Sequence, residues 1–132
     1  MKLARIGNPD KEKPIIIDKD NNYRDVSSVI KDFNSDNLNF ETLEKLKNIK
    51  PEDLPTLDKN QRIGACVKNP SKFIGIGLNF KDHAIEQSMP IPKEPIIFSK
   101  FTNSVSGPND DIVIPKNSNH TDWEVELGFV IG

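Results

Sequence analysis

The chain has one cysteine, one tryptophan, one tyrosine, two histidines and two methionines among its 132 residues. A single thiol, Cys66, excludes an internal disulfide and a cysteine-based zinc site. It reads as a small buried hydrophobe rather than a nucleophile. No apolar run approaches the ~18 residues that would suggest a membrane span. The start, Met1 to Gly7, has neither an apolar stretch of signal-peptide length nor a small-residue cleavage site, so a cytoplasmic location is the default. Neither charge sign dominates: 18 basic and 20 acidic residues give a net charge of −2. No basic stripe with interleaved aromatics appears, so a nucleic-acid partner is not expected. No repeat at solenoid periods is visible.

Turn formers, by contrast, are plentiful. Ten prolines and seven glycines favour short extended segments over a helical bundle. Leu3 to Ile6, Pro14 to Asp18 and Tyr23 to Val26 read as short strands, and the polar cluster from Asp18 to Asn22 predicts a hairpin. Ser27 and Ser28 are candidate caps for a short helix through Val29, Ile30 and Phe33. Asn39 is a candidate cap for a second helix, with Phe40, Leu43, Leu46 and Ile49 at spacings near three. Composition changes after Val67, where Asn69 to Lys72 reads as a linker. The division falls near residue 68. Beyond it, Phe73 to Gly77 reads as a buried strand and Asn79 to Ser88 as a helix. Pro95 to Lys100 reads as a strand, Ser106 to Asp110 as a turn, and Ile112 to Ile114 and Trp123 to Ile131 as strands.

Two local patterns carry chemistry. On a strand, Glu124 and Glu126 share a face, their Cα atoms roughly 6–7 Å apart, while Val125, Leu127 and Phe129 enter the core. Two carboxylates that close repel each other, and a hard divalent cation resolves the repulsion. Taken alone, such a pair is more often one solvated face of a strand. Asp122 reads as a strand-entry residue. In the second pattern, His83 and Glu86 stand three apart and share a helix face. A carboxylate beside an imidazole orients it for proton abstraction. The plainer alternative is a surface pair worth ~0.2–0.5 kcal/mol to the helix. His120, in a polar loop, reads as solvated.

Together and in order, these segments resemble the fumarylacetoacetate hydrolase family. Gly77-Leu78-Asn79-Phe80 through His83 to Glu86 is similar to its Gly-Leu-Asn-Tyr-x-x-His-x-x-Glu segment. Pro95 through Phe98 to Lys100 resembles its Pro-x-x-Phe-x-Lys strand. Ser106-Gly107-Pro108 with Ile112 to Pro115 resembles the next turn and strand, and Asp122 to Leu127 resembles the metal-binding strand. The likeness is strong from residue 73 to 132 and weaker before it. Phe80 departs from the family's tyrosine.

The resemblance implies an α+β, mostly β fold: the start of a mixed β-roll catalytic domain over residues 69–132. Residues 1–68 would be a small N-terminal accessory domain. Glu124 and Glu126 would be metal ligands for Mg2+ or Mn2+. His83 and Glu86 would be catalytic, activating water from a lid helix. Lys100 would bind the substrate carboxylate or support the structure. The activity implied is hydrolysis of a C–C bond in a small 2,4-diketo acid through a metal-stabilised enolate, in a cytoplasmic homodimer. A lyase, decarboxylase or isomerase acting on a 2-keto acid or ureidoglycolate-like substrate is the alternative, as is an inactive fragment. The family's third metal carboxylate and a further lysine are expected beyond Gly132, so the site within these residues is expected to be incomplete.

Overall fold

The computed structural model describes residues 1–132. The chain divides into two compact units, Met1–Lys68 with Ser106–Gly132, and Asn69–Val105. Sequence reasoning carried the second unit on to residue 132, whereas here the segment from Ser106 groups with the N-terminal residues.

In the first unit, β1 (Lys2–Ile6), β2 (Lys13–Ile17), β3 (Tyr23–Asp25) and β4 (Thr56–Leu57) form an antiparallel sheet in that order. Ile15 pairs with both Ala4 and Asp25, which places β2 between β1 and β3. Pro14, Ile15 and Ile16 are all buried, as suits an interior strand covered on both faces. The expected hairpin is present, and Asp18 builds its turn. One carboxylate oxygen accepts the N–H groups of Asp20 and Asn22 at 2.9 and 2.7 Å. The other accepts Arg24 Nε at 2.8 Å. Asn21 takes the left-handed conformation, φ +59°, which asparagine tolerates better than most residues.

The expected Asn39 helix also forms. In α1 (Phe40–Lys47) the Asn39 side chain accepts the Thr42 N–H at 2.9 Å, satisfying one of the orphan donors of a helix start. Leu46 turns inward from α1 to join Ile16, Val26, Ile30 and Phe33 in the core, with Leu3, Leu38, Ile49 and Leu54 around them. Burying a side chain such as Phe33 stabilises the unit by about 1.5–3 kcal/mol.

The helix expected after Ser27 does not form. The Asp25 carboxylate caps the Ser27 N–H at 2.8 Å, and the N–H groups of Val29 and Ile30 both bond to the Val26 carbonyl. The turn stops there. Asp32 is committed to a buried ion pair with Arg5, and its carboxylate takes the Phe33 N–H at 2.9 Å. A side chain competing for the backbone donor ends the helix before it starts.

In the second unit, β5 (Phe73–Gly77) and β6 (Ile96–Lys100) form an antiparallel ribbon, with α2 (Lys81–Glu86) between them in sequence. Gly75 faces Phe98 across the ribbon, and a Cβ there would run into the phenyl ring. The strand Phe73–Gly77 was expected to be buried, but Ile74 and Ile76 are exposed. Two strands provide too little surface to cover both of their faces.

Two expected strands are absent. Ile112 to Ile114 and Trp123 to Ile131 carry no regular secondary structure. A strand exists through its ladder of backbone hydrogen bonds, and neither segment is laddered with any of the six strands. Alternation alone therefore does not send Val125, Leu127 and Phe129 into a core; all three are exposed.

Candidate functional site

His83 and Glu86 lie on α2, three residues apart, with both side chains in solvent. Ala84 is the buried residue of this helix and fixes which side turns inward. The His83 carbonyl accepts the Gln87 N–H at 3.0 Å, closing the last turn. At six residues, α2 is too short to persist on local bonds alone, so its position depends on packing through Ala84.

Lys100 ends β6 opposite Phe73. Its Nζ lies 5.4 Å from the centroid of the Phe73 ring, within cation–π range. The rest of the Lys100 side chain is open to solvent. Glu124 and Glu126 are exposed residues of the Ser106–Gly132 segment. Thus His83, Glu86 and Lys100 belong to one unit and the two glutamates to the other.

As hard oxygen donors, Glu124 and Glu126 suit a divalent cation such as Mg2+ or Mn2+. Two carboxylates are only part of a six-coordinate sphere, and no group of three or more His, Cys, Asp or Glu side chains is assembled to hold a metal ion. Cys66 is exposed rather than buried, correcting the sequence-based expectation. The segment around it is pinned by backbone contacts, including Arg5 Nη1 donating to the Ala65 carbonyl at 3.1 Å, and these leave the thiol outward. His120 is exposed, as expected.

The most ordered polar arrangement is one that sequence reasoning missed. Arg5 donates to Asp32 through Nε and Nη2, at 2.6 and 3.1 Å, and through Nη2 to Glu12 at 3.2 Å. Glu12 accepts Arg62 Nη1 at 2.9 Å, and Arg62 grips Asp110 with two bonds of 2.6 Å. Lys68 Nζ stands 3.4 Å from Asp32. Burial pushes the Asp32 carboxyl up, but the hydrogen bond and charge of Arg5 outweigh it and hold it below the ordinary value. Burial likewise opposes ionisation of Glu12, and Arg62 and Arg5 overcome it. Arg62 holds Asp110 low, helped by the Gly107 N–H, and Asp110 then Glu12 push Arg62 up. Arg5 and Glu12 are 7 residues apart, but the other links to Asp32, Asp110 and Arg62 span 27, 48 and 50 residues, so no periodic local spacing signals the network. An open groove of about 520 Å³ along Lys2, Ile16, Lys19, Leu46 and Ile49 contains none of the candidate residues.

The chain is a strand-rich α+β protein with few helices, carrying a histidine–glutamate pair on a short helix and a Glu-x-Glu pair further on. Residues 72–132 match the family described as fumarylacetoacetate (FAA) hydrolase C-terminal. Over those residues the chain is similar to the fumarylacetoacetate hydrolase family. Proteins of Burkholderia multivorans and Burkholderia lata are each 54% identical to the chain over 132 residues, and one of Burkholderia cenocepacia is 53% identical. Each bears the name "Putative hydrolase", alone or with a suffix. The alignments cover 100% of this chain and 47% of each relative, so the chain spans about half the length of the curated relatives it matches.

Proposed function

We propose that this chain forms part of a hydrolase that cleaves a C–C bond in a small 2,4-diketo acid. The supporting observation is the family match over residues 72–132, which contains His83, Glu86, Lys100, Glu124 and Glu126 together. His83, oriented by Glu86, takes a proton from water. The water oxygen adds to the distal keto carbon, and the bond to the neighbouring carbon breaks. Its electron pair passes to the departing 2-keto acid as an enolate, which is then protonated. Lys100 binds the substrate carboxylate. Mg2+ or Mn2+ held by a carboxylate set that includes Glu124 and Glu126 would supply Lewis-acid polarisation of the substrate oxygens. The reading extends to a cytoplasmic homodimer, with residues 1–68 as an accessory domain.

Replacing His83 by alanine in the full chain tests the base. Hydrolysis of an acylpyruvate should fall by ~10²–10⁴-fold; unchanged hydrolysis removes His83 from the chemistry. Titration with Mn2+ tests the ligands. A Glu124→Gln variant that binds the ion as tightly as the parent excludes Glu124. A lyase or decarboxylase would use the same metal chemistry without attacking water, and its turnover would survive His83→Ala.

A further inference from the structure

We infer that Arg62 and Asp110 form a clip that fastens the Ser106–Asp110 turn to the N-terminal sheet. The clip makes the segment carrying Glu124 and Glu126 depend on residues 5, 12 and 62. Its significance for catalysis rests on the functional reading above; its existence does not.

Four observations within the first unit converge. Arg62 Nε and Nη2 each lie 2.6 Å from a different oxygen of Asp110, the two-pronged geometry that guanidinium and carboxylate share. Arg62 is itself held: Nη1 donates to the Gly7 carbonyl at 3.2 Å and to Glu12 at 2.9 Å. Glu12 is in turn fixed by Arg5, a β1 residue. Asp110 then closes the turn, accepting the Gly107 N–H at 2.7 Å while its own N–H bonds to the Gly107 carbonyl at 3.2 Å.

The fourth observation is steric. Gly107 is buried and lies so close to the Ile63 carbonyl that a Cβ would collide with its oxygen. The turn therefore seats on the backbone immediately after Arg62. Downstream, a Cβ on Gly132 would likewise collide with the Leu38 carbonyl. Residues 111–132 have no ladder of their own, and the clip gives their start a fixed attachment to the N-terminal residues.

The test is hydrogen exchange on the full chain, with a double-mutant cycle of Arg62→Ala and Asp110→Ala. Each single change should speed exchange of the Gly107 and Asp110 amides by about tenfold or more. The double variant should be no faster than either single one, because the two side chains act as one device. Exchange in β2 should stay protected. Arg62→Lys, which keeps the charge without the fork, should recover part of the protection, and it serves as the second probe should Arg62→Ala fail to fold. Unaltered exchange at 106–110, or strictly additive effects, overturns the clip. In parallel, kcat for an acylpyruvate should fall in Asp110→Ala with KM held, and recover in Asp110→Glu. If exchange rises while kcat stays unaltered, the clip stands, and the dependence of the Glu124 and Glu126 segment on it is overturned.

Discussion

Truncating Asp32 to alanine should be the most damaging single change to a charged residue. The Asp32 and Arg5 side chains are 6% and 3% exposed, so this ion pair is effectively shielded from water. Arg5 Nε has Asp32 as its partner at 2.6 Å. Removing the carboxylate leaves that donor buried and unsatisfied, and the Phe33 N–H loses its acceptor as well. Breaking a buried pair from one side costs about 3–5 kcal/mol. Glu12 and the Ala65 carbonyl still hold the rest of the guanidinium, which puts the expected loss near the lower end, ~3 kcal/mol. For a unit of this size that lowers the melting midpoint by roughly 10–25 °C, measured by circular dichroism with urea titration for the free energy. Asp36→Ala, on the surface, should stay within about 0.5 kcal/mol of the parent. Arg5→Met with Asp32→Leu should recover much of the loss, because no charge is then stranded. The reasoning fails if Asp32→Ala is as mild as Asp36→Ala. The pH dependence has a defined sign. The Asp32 carboxyl is held below its ordinary value of 3.8, so its contribution is complete above that value. It disappears as the pH falls through the folded-state value.

Asp18 offers the cleaner titration. Burial raises its pKa, but the Asn22 N–H, Arg24, the Asn22 side chain and the Asp20 N–H together bring it down from 3.8 to about 2. Carbon-detected NMR should find the hairpin stabilised by this group above pH 4 and losing that stabilisation between about pH 4 and 2; a midpoint near 3.8 would contradict the turn geometry. Gly107→Ala should destabilise the first unit by about 1–3 kcal/mol through overpacking against the Ile63 backbone, whereas Gly128→Ala, with open space around it, should be nearly neutral in the same denaturant assay. Asn39→Ala should cost about 1 kcal/mol by removing the α1 cap, seen as a matching drop in the urea midpoint. Chelating divalent cations with EDTA should abolish acylpyruvate hydrolysis by the full chain, and added Mg2+ or Mn2+ should restore it; turnover that persists without metal would remove the Lewis-acid role.

What the sequence determined by itself was whatever short-range forces settle. The β2–β3 hairpin follows from a cluster of Asp and Asn residues that bond to their own backbone between the isoleucine run of β2 and the short strand that Tyr23 opens. The α1 start follows from one side chain reaching three residues ahead. The order of the His83, Lys100 and Glu124 motifs sufficed to indicate the family, because motif order is a property of the chain and not of its packing. Tertiary structure decided the rest. Alternation from Trp123 to Ile131 describes a strand's preference, yet a strand needs a second backbone to pair with, and none of the six strands supplies it. The helix expected after Ser27 gave way because Asp32 is claimed by Arg5, 27 residues away. Cys66 faces solvent because distant contacts pin its neighbours. The linked charges from Asp32 through Arg5, Glu12 and Arg62 to Asp110 were invisible in one dimension for the same reason. Coulomb and hydrogen-bond energies depend on separation in space, and in a folded chain that separation bears little relation to distance along the sequence.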